Sequence, residues 1–81
     1  PQDPVAPDQS PEERLVSRER AQEIAAAVQR LPDRQRAVFT FCHIAGQSTR
    51  EVSQALGLRE ATVRVHLFRA VRKLRGLLER R

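Results

Sequence analysis

Few side chains in this chain could carry out covalent or metal chemistry. Cys42 and His43 are adjacent, and His66 is the only other histidine. One thiol and two imidazoles in that arrangement match no zinc-site spacing. There is no glycine-rich phosphate loop and no nucleophile beside an evident base, so catalysis, a metal centre and a bound cofactor are not expected. Cys42 reads as a small core residue and His43 as a surface or edge residue. Guanidinium groups, by contrast, recur. The stretch "REATVRVHLFRAVRKLR", residues 59–75, carries Arg59, Arg64, Arg69, Arg72, Lys73 and Arg75, with Val65 and Phe68 set among them. Planar guanidinium groups pair bidentately with phosphate oxygens and with the O6/N7 edge of guanine. Apolar side chains beside them suit thymine methyls or a sugar wall. The chemistry on offer is recognition of a polyanion.

The charge distribution agrees. Residues 1–33 hold seven acids and four bases, a net −3; residues 34–81 hold three acids and eleven bases, a net +8; together they give the chain's +5. A basic half this strong implies nucleic acid, or less readily an anionic membrane surface. The acids of the first third, Glu12, Glu13, Glu19 and Glu23, read as a solvated face. With 81 residues the chain is at most one small domain with a modest core. Its single Cys excludes an internal disulfide and fits a reducing, cytoplasmic compartment. No apolar run approaches the roughly 20 residues of a membrane span, and no signal-peptide pattern opens the chain. A start at Pro1 with no Met suggests a piece of a longer protein.

These side chains must be positioned by helices. Residues 1–10, within "PQDPVAPDQSP", are rich in proline and read as a flexible linker. "SPEE" then starts a helix: Ser10 caps, Pro11 fits the first position and Glu13 completes a capping box. The first helix is expected over 11–30, with Leu15, Ile24, Val28 and Leu31 as its apolar stripe. Pro32 interrupts. A second helix is expected over 33–45, with Val38, Phe41, Cys42 and Ala45 inward and Gly46 as its terminator. "STRE" gives a second capping box, Ser48 with Glu51, opening a short helix that turns Val52, Ala55 and Leu56 inward and stops at Gly57. The last helix covers 60–79. No run alternates with period two, so no sheet is expected. The result is an all-α, four-helix domain over 11–81, with a helix-turn-helix at about 48–75, in the winged-helix-like class of DNA-binding folds. In a helix-turn-helix the first helix crosses the DNA backbone and the second enters the major groove. Tight helix pairs also occur in proteins that never meet DNA.

A wheel of the last helix separates two faces. With Val63 at zero, Leu74, Leu67, Leu78 and Val71 lie within about 80° on one side, and Ala70 and Leu77 within about 40° on the other. Arg64, Val65, Phe68, Arg69 and Arg72 lie opposite. A solvated charged face with two stray apolar residues is the bland alternative, with Phe68 stacked under Arg64 or Arg72. A face built to lie against DNA explains the apolar residues as well as the charges.

The combination "LPDRQRAVF", Gly46 and Ser48 ahead of "EVSQALG", and "TVRVHLFRAVRKLR" resembles region 4 of the sigma-70 family of bacterial transcription initiation factors, closest to the extracytoplasmic-function group. The resemblance covers about 31–79. It implies a domain that recognises the −35 promoter element in duplex DNA and grips the flap of the RNA polymerase β subunit. It also implies an anti-sigma factor as partner, and no small-molecule substrate. By the resemblance, Arg64, Phe68 and Arg69 face the −35 bases and adjoining phosphates, and Arg50 is a candidate phosphate contact. Arg59, Val65 and Arg72 complete the candidate DNA-binding set.

The chain departs from the family pattern in places. Val65 stands where a small polar residue is usual, His66 where Arg is common, Gln47 for Leu and Ser53 for Ala. Arg59 replaces the usual Ser or Thr cap, which weakens the helix start by about 0.5–2 kcal/mol. Glu60 offsets part of this at the positive helix end but repels a nearby phosphate. Two other readings compete. One is the effector domain of a LuxR-type response regulator, whose helix-turn-helix also carries a "TV.VH" run. The other is an interaction module whose basic helix binds an acidic protein such as an anti-sigma factor.

Overall fold

The computed structural model describes residues 10–79. The linker expected over 1–10 lies outside the described residues, apart from Ser10. The chain forms α1 (Pro11–Val28), α2 (Asp33–Phe39), which continues as a π-helical turn (Thr40–Ile44), α3 (Thr49–Leu56) and α4 (Glu60–Glu79). No strand occurs among the described residues. Both capping boxes form: Ser10 with Glu13 opens α1, and Ser48 with Glu51 opens α3. Gly46 and Gly57 adopt φ of +75° and +68°, the left-handed conformation that ends a helix without a Cβ clash.

α4 is the spine, and α1, α2 and α3 all pack on it. It joins two small cores. In one, Ala70 and Leu74 meet Ala27, Val28 and Leu31, with Phe39, Leu77 and Leu78 packed around them. In the other, Val63 meets Val38 and Val52, and Phe41, Cys42, Leu56, Leu58 and Leu67 close the sides. The largest fully buried side chains are only valines: Val38, Val52 and Val63. The reason is shape. The backbone extends over 43 × 38 × 14 Å, so in its thin direction it is about two packed helices deep. Its radius of gyration is 15.1 Å, against about 12 Å for a compact chain of this length.

Four sequence expectations are corrected. The stripe on α1 is buried only at its end. Ala27, Val28 and Leu31 are covered, whereas Leu15, Val16 and Ile24 are 55%, 52% and 37% exposed. The start of the helix overhangs the core, and Ile24, which borders a groove with Leu78 of α4, is only partly covered. The helix also stops at Val28 rather than 30, where Arg30 and Leu31 amides turn back to the Ala27 and Val28 carbonyls ahead of Pro32. Ala45 is exposed rather than inward. The Ala45 amide bonds the Thr40 carbonyl at 3.0 Å, five residues back, and that wider turn rotates Ala45 off the face shared by Val38 and Phe41. Ala55 is exposed as well. The inward face of α3 is centred on Val52, Ser53 and Leu56, and the Ser53 hydroxyl is satisfied by the Arg50 carbonyl at 2.7 Å.

Candidate nucleic-acid interface

The turn Gly57–Arg59 sets α3 and α4 as a helix pair. Its geometry is fixed by local bonds. The Leu58 amide returns to the Ser53 carbonyl at 2.9 Å, and the Val63 amide to the Arg59 carbonyl at 3.1 Å. Across the pair, the Thr49 hydroxyl donates to Glu60 Oε2 at 2.8 Å. The starts of α3 and α4 therefore touch; Arg50 follows Thr49 in the chain and Arg59 precedes Glu60.

Burying Val63, Ala70 and Leu74 turns the opposite side of α4 outward. Arg64, Val65, Phe68, Arg69 and Arg72 are all exposed there, as are Arg50 on α3 and Arg59 in the turn. Val65 is 45% and Phe68 64% exposed, so neither belongs to the core. The seven candidate residues thus lie on the surface of one helix pair. Two shallow grooves border the face. One is lined by Arg69, Arg72, Lys73, Gly76 and Leu77, the other by Phe68, Val71, Arg72 and Arg75. Lys73 and Arg75 are basic residues of this surface that the sequence reading did not place on it, although their charge was visible there.

One carboxylate stands at this surface. Glu60 Oε2 accepts from the Arg64 guanidinium at 2.9 Å as well as from Thr49. The i,i+4 spacing of Glu60 and Arg64 is readable in the sequence, but the Thr49 bond, eleven residues away, is not. At the start of α3 the capping box occupies the Ser48 and Glu51 amides. Those of Thr49 and Arg50, in the first turn, have no acceptor within the helix.

Elsewhere Cys42 is half-buried against the second core, and that burial raises its thiol above the ordinary value. The His43 ring packs against Phe39 with centroids 4.9 Å apart and the planes tilted by 33°. No group of three or more potential metal-ligating side chains occurs among the described residues, and none of the described helices is long and apolar enough to cross a membrane.

A short capped helix, a glycine turn and a long basic helix with its apolar back held to a core define a helix-turn-helix domain of the DNA-binding class. The family model "Sigma-70, region 4" matches residues 21–74, two thirds of the chain, and the protein belongs to that family. A search of curated proteins gave no match. Region 4 of sigma-70 factors is a DNA-binding domain for recognition of the −35 promoter element and works with RNA polymerase.

Proposed function

We propose that this domain is the −35-reading part of an extracytoplasmic-function sigma factor, with α4 in the major groove. Arg64 and Arg69 reach base edges, and Val65 and Phe68 make apolar contact beside them. Arg50, Arg59 and Arg72 hold phosphates. The observation that carries this reading is the exposed pair Val65 and Phe68, set among arginines on the face of α4 opposite its buried residues. A solvated face gains nothing from a Phe that is 64% exposed; a face that closes on DNA buries it. Val65 cannot donate a hydrogen bond, so the preferred −35 sequence differs from that of relatives with a polar residue there.

The same reading assigns the flap of the polymerase β subunit as docking partner, an anti-sigma factor as regulator and the cytoplasm as the place of action. Family membership favours it over a response-regulator effector domain. Selection of duplex sites by the chain bound to core polymerase tests it. Enrichment of one −35-like sequence, lost in Arg64→Ala, is expected. Failure to bind core polymerase, or no enrichment from the selection, leaves the interaction-module reading in its place.

A further inference from the structure

The proposed base reader Arg64 is not a free side chain. Its guanidinium is held at 2.9 Å by Glu60 Oε2, and that same oxygen takes the Thr49 hydroxyl at 2.8 Å. Three residues are thereby linked in a row: the first of α3, the first of α4 and the arginine one turn into α4. We propose that Glu60 is a positioning residue for DNA recognition, bracing Arg64 against the start of α3 so that its guanidinium is presented to a base edge rather than to the phosphates. The inference rests on the base-reading role proposed for Arg64.

Three arguments support it. First, stability does not account for the pair. The Arg64 and Glu60 side chains are 63% and 35% exposed, and an ion pair this open contributes little to folding. Second, the geometry leaves Arg64 able to read. A guanidinium has five N–H donors, and one bond to Glu60 leaves donors for the two acceptors of guanine. An arginine otherwise samples many rotamers, and bracing removes that freedom before DNA arrives. Third, the sign of the charge is informative. A carboxylate beside the DNA face opposes phosphate binding, so Glu60 lowers affinity for any duplex. The charge also favours the positive start of α4, and its cost on the DNA face is offset when it improves the distinction between duplexes.

The experiment compares the full chain with its Glu60→Ala and Glu60→Gln variants. Each is titrated with the duplex selected by the unaltered chain and with a scrambled duplex, by fluorescence anisotropy over a range of salt. Glu60→Ala should reduce the ratio of selected to scrambled affinity on the order of tenfold, while scrambled binding holds or rises. Glu60→Gln, whose amide oxygen can accept the same two bonds without charge, should recover part of the ratio. An unchanged ratio in Glu60→Ala overturns the proposal. So does equal behaviour of the Ala and Gln variants, which would reduce the effect to charge alone. A parallel fall on both duplexes with a lowered melting temperature also overturns it, since Glu60 would then be structural. If the unaltered chain itself binds both duplexes equally, base reading by Arg64 fails, and this inference with it. If it discriminates and Glu60→Ala matches it, only this inference fails.

Discussion

Val63 and Arg64 are neighbours in the chain, about 100° apart around α4, and one faces the core while the other faces solvent. Val63 is fully buried against Val38 and Val52, while Arg64 projects into solvent and bonds Glu60 at 2.9 Å. A helix that turns about 100° per residue allows one short segment to serve as core and as interface. The consequence is that stability and DNA recognition are separable by mutation along this one element.

Arg64→Ala and Arg69→Ala should each weaken binding to the preferred duplex by about 1–3 kcal/mol, the range for a bidentate base contact. Scrambled duplexes should lose less. Equal loss on every sequence would assign that arginine to phosphate instead. Competition titrations with selected and scrambled duplexes make the comparison.

Phe68→Ala should lower promoter-dependent transcription and leave the thermal midpoint nearly unchanged, because the ring is 64% exposed. Leu74→Ala should do the reverse. That side chain is only 5% exposed in the first core, and truncation there costs about 2–5 kcal/mol. In a domain this small that is a large share of the total. A melting temperature that drops for Phe68→Ala would place the ring in the core and overturn its assignment to DNA.

Arg50→Ala, Arg59→Ala and Arg72→Ala should weaken binding across all sequences. Each should flatten the dependence of log K on log salt by about 0.9, the contribution of one phosphate contact on duplex DNA. Salt titrations of each variant give the slope directly. An unchanged slope removes that residue from the phosphate set.

Ser48→Ala should destabilise the domain by about 0.5–2 kcal/mol, the usual effect of losing an N-cap. Ser48 Oγ accepts the Glu51 amide at 3.0 Å, and Glu51 Oε1 accepts the Ser48 amide at 2.8 Å. Because α3 carries Thr49 and Arg50, DNA affinity should fall alongside the urea midpoint.

The first turn of α1 should respond to acid. Hydrogen bonds from the Ser10 backbone amide and side chain hold the Glu13 carboxyl below the usual glutamate range. The folded value lies below the unfolded one, so this contribution is complete above the ordinary glutamate value, about 4.3. It is lost as pH falls through the lowered value. NMR should show the amides of the first turn of α1 fraying at acidic pH in the unaltered chain. Glu13→Gln should remove the pH dependence.

Much of this domain was legible from residues alone. Ser10 with Glu13 and Ser48 with Glu51 announce two helix starts, and Gly46 and Gly57 mark two ends, because capping and left-handed termination are properties of a few adjacent residues. The division of α4 into Val63, Ala70 and Leu74 against Arg64, Val65 and Phe68 follows from helical period. What the sequence could not settle depends on neighbours. Whether Leu15 and Ile24 are covered depends on how far α4 reaches along α1: Leu15 is left in solvent, and Ile24 is only partly covered beside Leu78. Ala45 follows the right period and still faces outward, because one wide turn at Thr40–Ile44 changes the register. Ser53, read as a departure from the family pattern, is accommodated by the Arg50 carbonyl. The bond from Thr49 to Glu60 joins residues on different helices. The sequence by itself therefore determined the helices and the face that α4 offers. Only the tertiary structure decided what that face holds in place, because a side chain's orientation is set by the groups that meet it across the fold.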